Sequence, residues 1–216
     1  MERDKVLTEE IVDFSKKIGI DVIGFGDPIH FERFPKINRP NNYHENARTV
    51  IIIGLIVRDI ILDAWTTDDK FGINFHFLDS ILENRLFSIK DYLLERGFKS
   101  KIIPYKPGLF LKDAGAIAGI GPIGKHNLLI SNEVGSQIRL RALVTEAFLE
   151  TGNPITESEY CKDCEICIKV CPANAIKRDG YDRQACLDYN LSNLKKLSKN
   201  TVIWCNICLD ACPIQN

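Results

Sequence analysis

The sequence predicts an α/β (or α+β) domain over residues 1–152, followed by a small cysteine-rich domain over residues 153–216. Two observations carry this division. Helical and extended patterns alternate through the first 150 residues without one cysteine, and all eight cysteines lie at or beyond residue 161. Between the two parts, LETGNPITESEY (residues 149–160) is polar and broken by Gly152, Asn153 and Pro154, the composition of a connecting segment. A third observation bounds the class. With 45% hydrophobic residues the chain can bury a core, and its formal net charge of −1 offers no electrostatic footprint for nucleic acid, which is not an expected partner. The opening MERDKVLTEE is too charged for a signal peptide, and no apolar run is long enough to span a bilayer. The expectation is a soluble, cytoplasmic protein with no membrane partner, in which cysteines serve as metal ligands rather than disulfides.

The elements follow in order. Leu7, Ile11, Phe14 and Ile18 recur at helical spacing, with Thr8 read as the N-cap and Gly19 near the stop. DVIGFG (21–26) and TVIIIGLIV (49–57) are rich in β-branched residues and read as buried strands. A longer helix is expected over roughly 76–96, with Leu78, Ile81, Leu82, Ile89 and Leu93 on one face and Gly97 after it. KSKIIPY suggests another strand. QIRLRALVT (137–145) alternates, placing Ile138, Leu140, Ala142 and Val144 on one side and Arg139 and Arg141 on the other, where a solvated edge is the default reading.

Between these lies AGIGPIGKHN (118–127), in which Gly119, Gly121 and Gly124 match G-x-G-x-x-G. A dinucleotide loop follows a strand and opens a helix, so that the helix N-terminus meets the pyrophosphate. Here helix-compatible LKDAGAIAG precedes the run and strand-like NLLI follows it, and no acid stands at the ribose position. The Rossmann reading fails on context. A tight helix-to-strand connection remains, as does a backbone laid close against a flat or phosphate-bearing ligand with Lys125 at its edge.

The cysteines are more specific. Cys161-x2-Cys164-x2-Cys167-x3-Cys171-Pro172 is the bacterial ferredoxin run, and Cys205-x2-Cys208-x3-Cys212-Pro213 repeats its ending, with Cys186 between. In that pattern the fourth cysteine ligates the neighbouring cluster. One [4Fe–4S] cluster then takes Cys161, Cys164, Cys167 and Cys212, and a second takes Cys171, Cys186, Cys205 and Cys208. A zinc ribbon accounts for neither the third cysteine nor the paired Cys-Pro endings. The small domain is therefore expected to be bacterial-ferredoxin-like, with two clusters.

The pairing of AGIGPIGKHNLLISNEVGSQIRLRALVTE with CKDCEICIKVCPANAI, DRQACLDY and CNICLDACPIQN resembles epoxyqueuosine reductases and their shorter relatives, cousins of the corrinoid reductive dehalogenases. The resemblance covers most of the chain. It implies a cobalamin cradled between the two domains, with one cluster near its cobalt and Gly119, Gly121, Gly124 and Lys125 in its wall. Three departures stand out. Pro122 replaces an aromatic residue, YKPGLFL (105–111) has no acid where proton donation is expected, and the sequence stops at Asn216, without the helical repeat that engages transfer RNA in the full-length enzymes.

The remaining candidates are individual side chains. Asp113 and Tyr105 are the catalytic candidates, as proton donors. Their bland readings are a helix-surface aspartate and a packed tyrosine. His76 is either a cobalt ligand or relay, or a buried, hydrogen-bonded histidine at a helix start, the reading preferred here. For His126 the sequence suggests no role. Two functions remain: a cobalamin-dependent reductase fed single electrons by two clusters, or a ferredoxin-like electron-transfer module serving a partner reductase. In either case the electron donor is of the ferredoxin or flavodoxin class. A flavin in the first domain is a third reading, by architectural analogy.

Overall fold

The computed structural model describes residues 2–68 and 73–214. Its main sheet comprises β1 (Val22–Gly26), β2 (Thr49–Ile56), β5 (Ser100–Ile102) and β6 (Ile138–Thr145), in the order β1-β2-β6-β5 with every pair antiparallel. Of the two fold classes expected, this is the α+β one. The TVIII run of β2 lacks alternation because both faces of the sheet are covered. Ile51 and Ile53 pack with Leu7 and Ile11 of α1 (Lys5–Lys17) and with Leu78, Leu82 and Leu86 of α2 (Phe77–Glu95). Val50 and Ile52 pack on the opposite face with Ala114 and Ile117 of α3 (Leu111–Ile117).

Capping corrects one expectation and sharpens another. The N-cap of α1 is Asp4, whose carboxylate accepts from the Leu7 amide (2.9 Å); Thr8 sits inside the helix, its hydroxyl turned back to the Asp4 carbonyl. His76 caps α2, accepting the Asp79 amide on Nδ1 (3.1 Å) while Nε2 meets Asp63 (2.9 Å). The imidazole is 3% exposed and packs on Trp65, so it has the buried, hydrogen-bonded role. NLLI is not a strand. Asn127 takes a left-handed conformation (φ 60°), the chain doubles back, and only Ile123 and Leu129 form a bridge.

A second sheet joins distant parts of the chain. β3 (Trp65–Asp68) and β4 (Ile73–His76) form a hairpin, and β3 pairs with β10 (Thr201–Ile203), which pairs with β9 (Lys195–Lys196). Hydrogen bonding therefore runs across residues 152/153. The cysteine region also holds α4 (Ile166–Val170), the hairpin of β7 (Ile176–Lys177) and β8 (Gly180–Tyr181), α5 (Arg183–Ser192) and α6 (Ile207–Asp210). Among the described residues no helix is long and apolar enough to cross a membrane.

The expected solvated edge at Arg139 and Arg141 is absent, because β6 is an interior strand and α2 crosses its charged face. Arg141 is 3% exposed, between Asp79 (3.6 Å) and Glu83 (3.3 Å) of α2. Arg139 meets Asp63 (3.4 Å) and lies over the Trp65 ring. Truncating one partner of a buried ion pair leaves the other charge uncompensated. Arg141→Leu is expected to destabilise the protein by about 2–3 kcal/mol, measured by anaerobic denaturant unfolding. A cost below about 0.5 kcal/mol, the level of an ordinary surface change, would show the charge to be solvated.

Candidate metal centre

The eight cysteines are all free thiols, and they gather in two groups of four. Cys161, Cys164, Cys167 and Cys212 line one small, mostly apolar cavity together with His126, Ile130 and Tyr160. Cys161 ends a single 3-10 turn, Cys167 lies in α4, and Cys212 follows α6, so three separate turns aim their side chains inward. Burial, then the neighbouring thiols Cys161, Cys164 and Cys212, pushes the Cys167 thiol up. Cys171, Cys186, Cys205 and Cys208 form the second group. There burial, followed by Cys205, Cys171 and Cys186, pushes Cys208 up to about 12. The thiolate is the form that binds a metal, and a cationic partner at the centre of such a group favours it.

Hydrogen bonds hold the second group together. Asn190, 5% exposed on α5, donates Nδ2 to the Cys186 carbonyl (2.9 Å) and to Cys186 Sγ (3.5 Å), and its Oδ1 accepts the Cys205 amide (2.6 Å). One side chain thus ties two cysteines that lie 19 positions apart in sequence. The Ala175 amide donates to Cys171 Sγ (3.3 Å), and Tyr181 lies beside Cys186. Asn190 and Tyr181 escaped the sequence reading; their spacing from Cys186, four residues on and five before, was the available signal.

The glycine run serves the first group. Gly119 ends α3 at φ +77°, the left-handed conformation that favours glycine. A Cβ on Gly121 would stand 1.8 Å from the Ile130 carbonyl oxygen, and one on Gly124 would stand 3.3 Å from Cys161 Sγ and 2.9 Å from His126 Cε1. Lys125 Nζ donates to the carbonyls of Cys164 (3.0 Å) and Lys162 (3.4 Å), so its charge rests on the first cysteine loop. His126, buried beside that group, accepts the Leu128 amide on Nδ1 (3.1 Å), which leaves the proton on Nε2; that atom has no hydrogen-bond partner among the described residues. Burial, then Lys112, pulls its pKa down to about 4, so the ring is neutral at pH 7.

The catalytic candidates lie elsewhere. Asp113, in the first turn of α3, pairs with Arg33 (3.5 Å). Tyr105 is 43% exposed; its hydroxyl accepts from Arg139 (3.2 Å) and its ring meets the edge of Trp65. The two side chains are not brought together with the cysteine groups.

The close contacts at Gly121 involve backbone, which yields little. Gly121→Ala is expected to cost about 3 kcal/mol and to lower the iron bound per chain. Gly180→Ala, with open space around it, is the matched control and should leave both unchanged. Equal melting temperatures for the two variants would contradict the packing described for the run.

Comparison with known proteins gives the chain its relatives. Residues 160–215 match the family model described as a 4Fe-4S double cluster binding domain. An epoxyqueuosine reductase of Prochlorococcus marinus is 32% identical over 155 residues, covering 66% of this chain and 48% of the relative. That of Listeria monocytogenes is 25% identical over 254 aligned positions, covering 96% of this chain and 64% of the relative. Among solved structures, an epoxyqueuosine reductase with an epoxyqueuosine-modified tRNA-Tyr stem loop superposes with a TM-score of 0.72 at 22% identity, over 96% of this chain and 65% of that one. A catabolic reductive dehalogenase gives 0.71 at 15%, over 96% and 32%. These two likenesses are of fold alone. The chain spans about half the length of the Prochlorococcus relative and under two thirds of the Listeria one. The chain is thus similar in sequence to the epoxyqueuosine reductases, and its residues 160–215 match a 4Fe–4S double cluster binding domain.

Proposed function

We propose that this chain is an iron–sulfur electron-transfer protein in which Cys161, Cys164, Cys167 and Cys212 hold one [4Fe–4S] cluster and Cys171, Cys186, Cys205 and Cys208 hold the other. The observation that carries the reading is the gathering of all eight thiols into two groups of four, with none lost to a disulfide. Among the described residues no three His, Cys, Asp or Glu side chains converge tightly enough for a single metal ion. Each group offers four thiols, the number that a [4Fe–4S] cube takes at its corners. The unpartnered Nε2–H of His126 supports the same fit, since a sulfide-rich ligand in that cavity would give it an acceptor.

Clusters of this type supply one-electron transfer at potentials tuned by charge, solvent exposure and hydrogen bonds to sulfur. The chain's own part is to hold and bias them. Asn190 and the Ala175 amide direct donors at sulfurs of the second group, which stabilises the extra negative charge of a reduced state. Lys125 braces the loop of the first. An electron donor of the ferredoxin or flavodoxin class and a partner reductase belong to this reading.

A corrinoid is the further cofactor that the resemblance implies, and the residues expected to wall it do not fit one. Gly121 and Gly124 turn the room they leave toward Ile130, His126 and Cys161, and Lys125 is engaged with backbone carbonyls. The cavity between β6 and the Cys205–Cys212 segment has a volume of about 140 Å³, against about 300–1,000 Å³ for ordinary cofactor and drug-sized pockets. The tRNA stem loop belongs to the relative solved with it, and a formal net charge of −1 gives no ground for carrying it over.

Anaerobic reconstitution of Cys186→Ala tests the ligand partition. The variant should keep the iron, acid-labile sulfide and electron paramagnetic resonance signal of one cluster and lose those of the other. Two intact signals would overturn the partition, and no iron in the parent protein would overturn the function.

A further inference from the structure

We infer that His126 sets the potential of the first metal centre: its Nε2–H donates to sulfur of the cluster held by Cys161, Cys164, Cys167 and Cys212 and makes that cluster easier to reduce. The inference rests on the electron-transfer reading and adds to it the residue that biases one of the two centres.

The lining of the cavity leaves one side chain able to do this. Beside the four thiols stand Ile130, Pro213, Ile214, Tyr160 and His126. The first three are apolar, and Tyr160 spends its hydroxyl on Asn132 Oδ1 (3.1 Å). His126 keeps a polar hydrogen in hand. Its Nδ1 accepts the Leu128 amide (3.1 Å), so the neutral ring carries its proton on Nε2. That atom is closed to water and has no partner among the described residues. A buried N–H costs stability unless something inside the protein completes it, and the cavity's own occupant is sulfur-rich.

A second, independent observation is the packing at Gly124. The point where its Cβ would stand is 2.9 Å from His126 Cε1 and 3.3 Å from Cys161 Sγ, so ring and thiol face each other across one missing side chain. Cε1 is bonded to Nε2, which puts that edge of the ring beside the thiols, while Nδ1 is held by Leu128. Lys125, the preceding residue, meets the same cysteine loop at the carbonyls of Cys164 and Lys162. Two consecutive side chains thus address one loop, the first through its main chain and the second from the cavity. An N–H directed at sulfur favours the more negative state of a cluster, and does so more strongly where water is excluded. One electron arrives from a donor of the ferredoxin or flavodoxin class; no bond breaks, and His126 keeps its proton in both states.

The test is a potentiometric titration of the anaerobic, cluster-loaded full chain, followed by electron paramagnetic resonance, on the parent, His126→Leu and His126→Gln. Leucine removes the donor; glutamine offers an amide N–H together with an acceptor for Leu128. In His126→Leu one of the two midpoints should fall by about 59 mV or more, a tenfold or greater loss in the reduction equilibrium, while the other stays. In His126→Gln that midpoint should recover in part. Parent protein labelled with heavy nitrogen in its histidines should also show a nitrogen coupling on the reduced signal. His126→Gln, which retains His30, His44 and His76, should lack it. If His126→Leu fails to load its first cluster, the coupling in the parent decides. Unchanged midpoints in His126→Leu overturn the inference, as do two midpoints shifted alike. So does a fully loaded parent without the coupling. These outcomes leave the electron-transfer reading standing, whereas a parent that takes up no iron sinks that reading and this inference with it.

Discussion

The contact on which the rest of the cysteine region depends is one between two stretches of main chain. Residue 121 lies so close to the Ile130 carbonyl that no side chain fits between them. That approach presses residues 118–124 against 130–131 and brings Gly124 to Cys161. It also lets Lys125 reach across to the carbonyls of Lys162 and Cys164. Without it the first cysteine loop would lack both its floor and its brace. A glycine run that reads as a phosphate cradle thus works as a joint between two parts of the protein.

The protein surrounds its two groups of thiols differently. Around the second group Asn190 and the Ala175 amide bring polar hydrogens directly to sulfur. Around the first the cavity is mostly apolar, and the polar contribution beside it is a neutral imidazole with one unspent N–H. Two sites of the same ligand type are thereby given unlike surroundings, the usual means by which proteins separate the potentials of identical clusters.

Much of this was legible in the sequence, for identifiable reasons. Leu78, Leu82, Ile89 and Leu93 follow the helical period of α2, and the β-branched run of β2 can only be a covered strand. Cysteine spacing announces the two groups because the turn geometry of the motif is local. What could not be read is what depends on partners far along the chain. Arg141 looks solvated until α2 brings Asp79 and Glu83 over it. NLLI has strand composition, yet Gly124 and Asn127 turn it into a doubled-back loop. Lys125 points toward a ligand on paper and toward Cys164 in space. Ser136, which lines a cavity with its hydroxyl unpaired, carries no sequence signal.

The pairing of β3 with β10 bears on how the molecule is made. Residues 65–68 find their partner only at residues 201–203, so during synthesis the β3–β4 hairpin must wait with one edge unpaired until β10 has left the ribosome. An isolated two-stranded hairpin is marginal in water, and an open edge invites wrong pairing. Cys205, Cys208 and Cys212 emerge later still, and each of the two groups of four needs at least one of them. Neither metal centre can be completed on the nascent chain before the sheet that ties the two halves together is available to close.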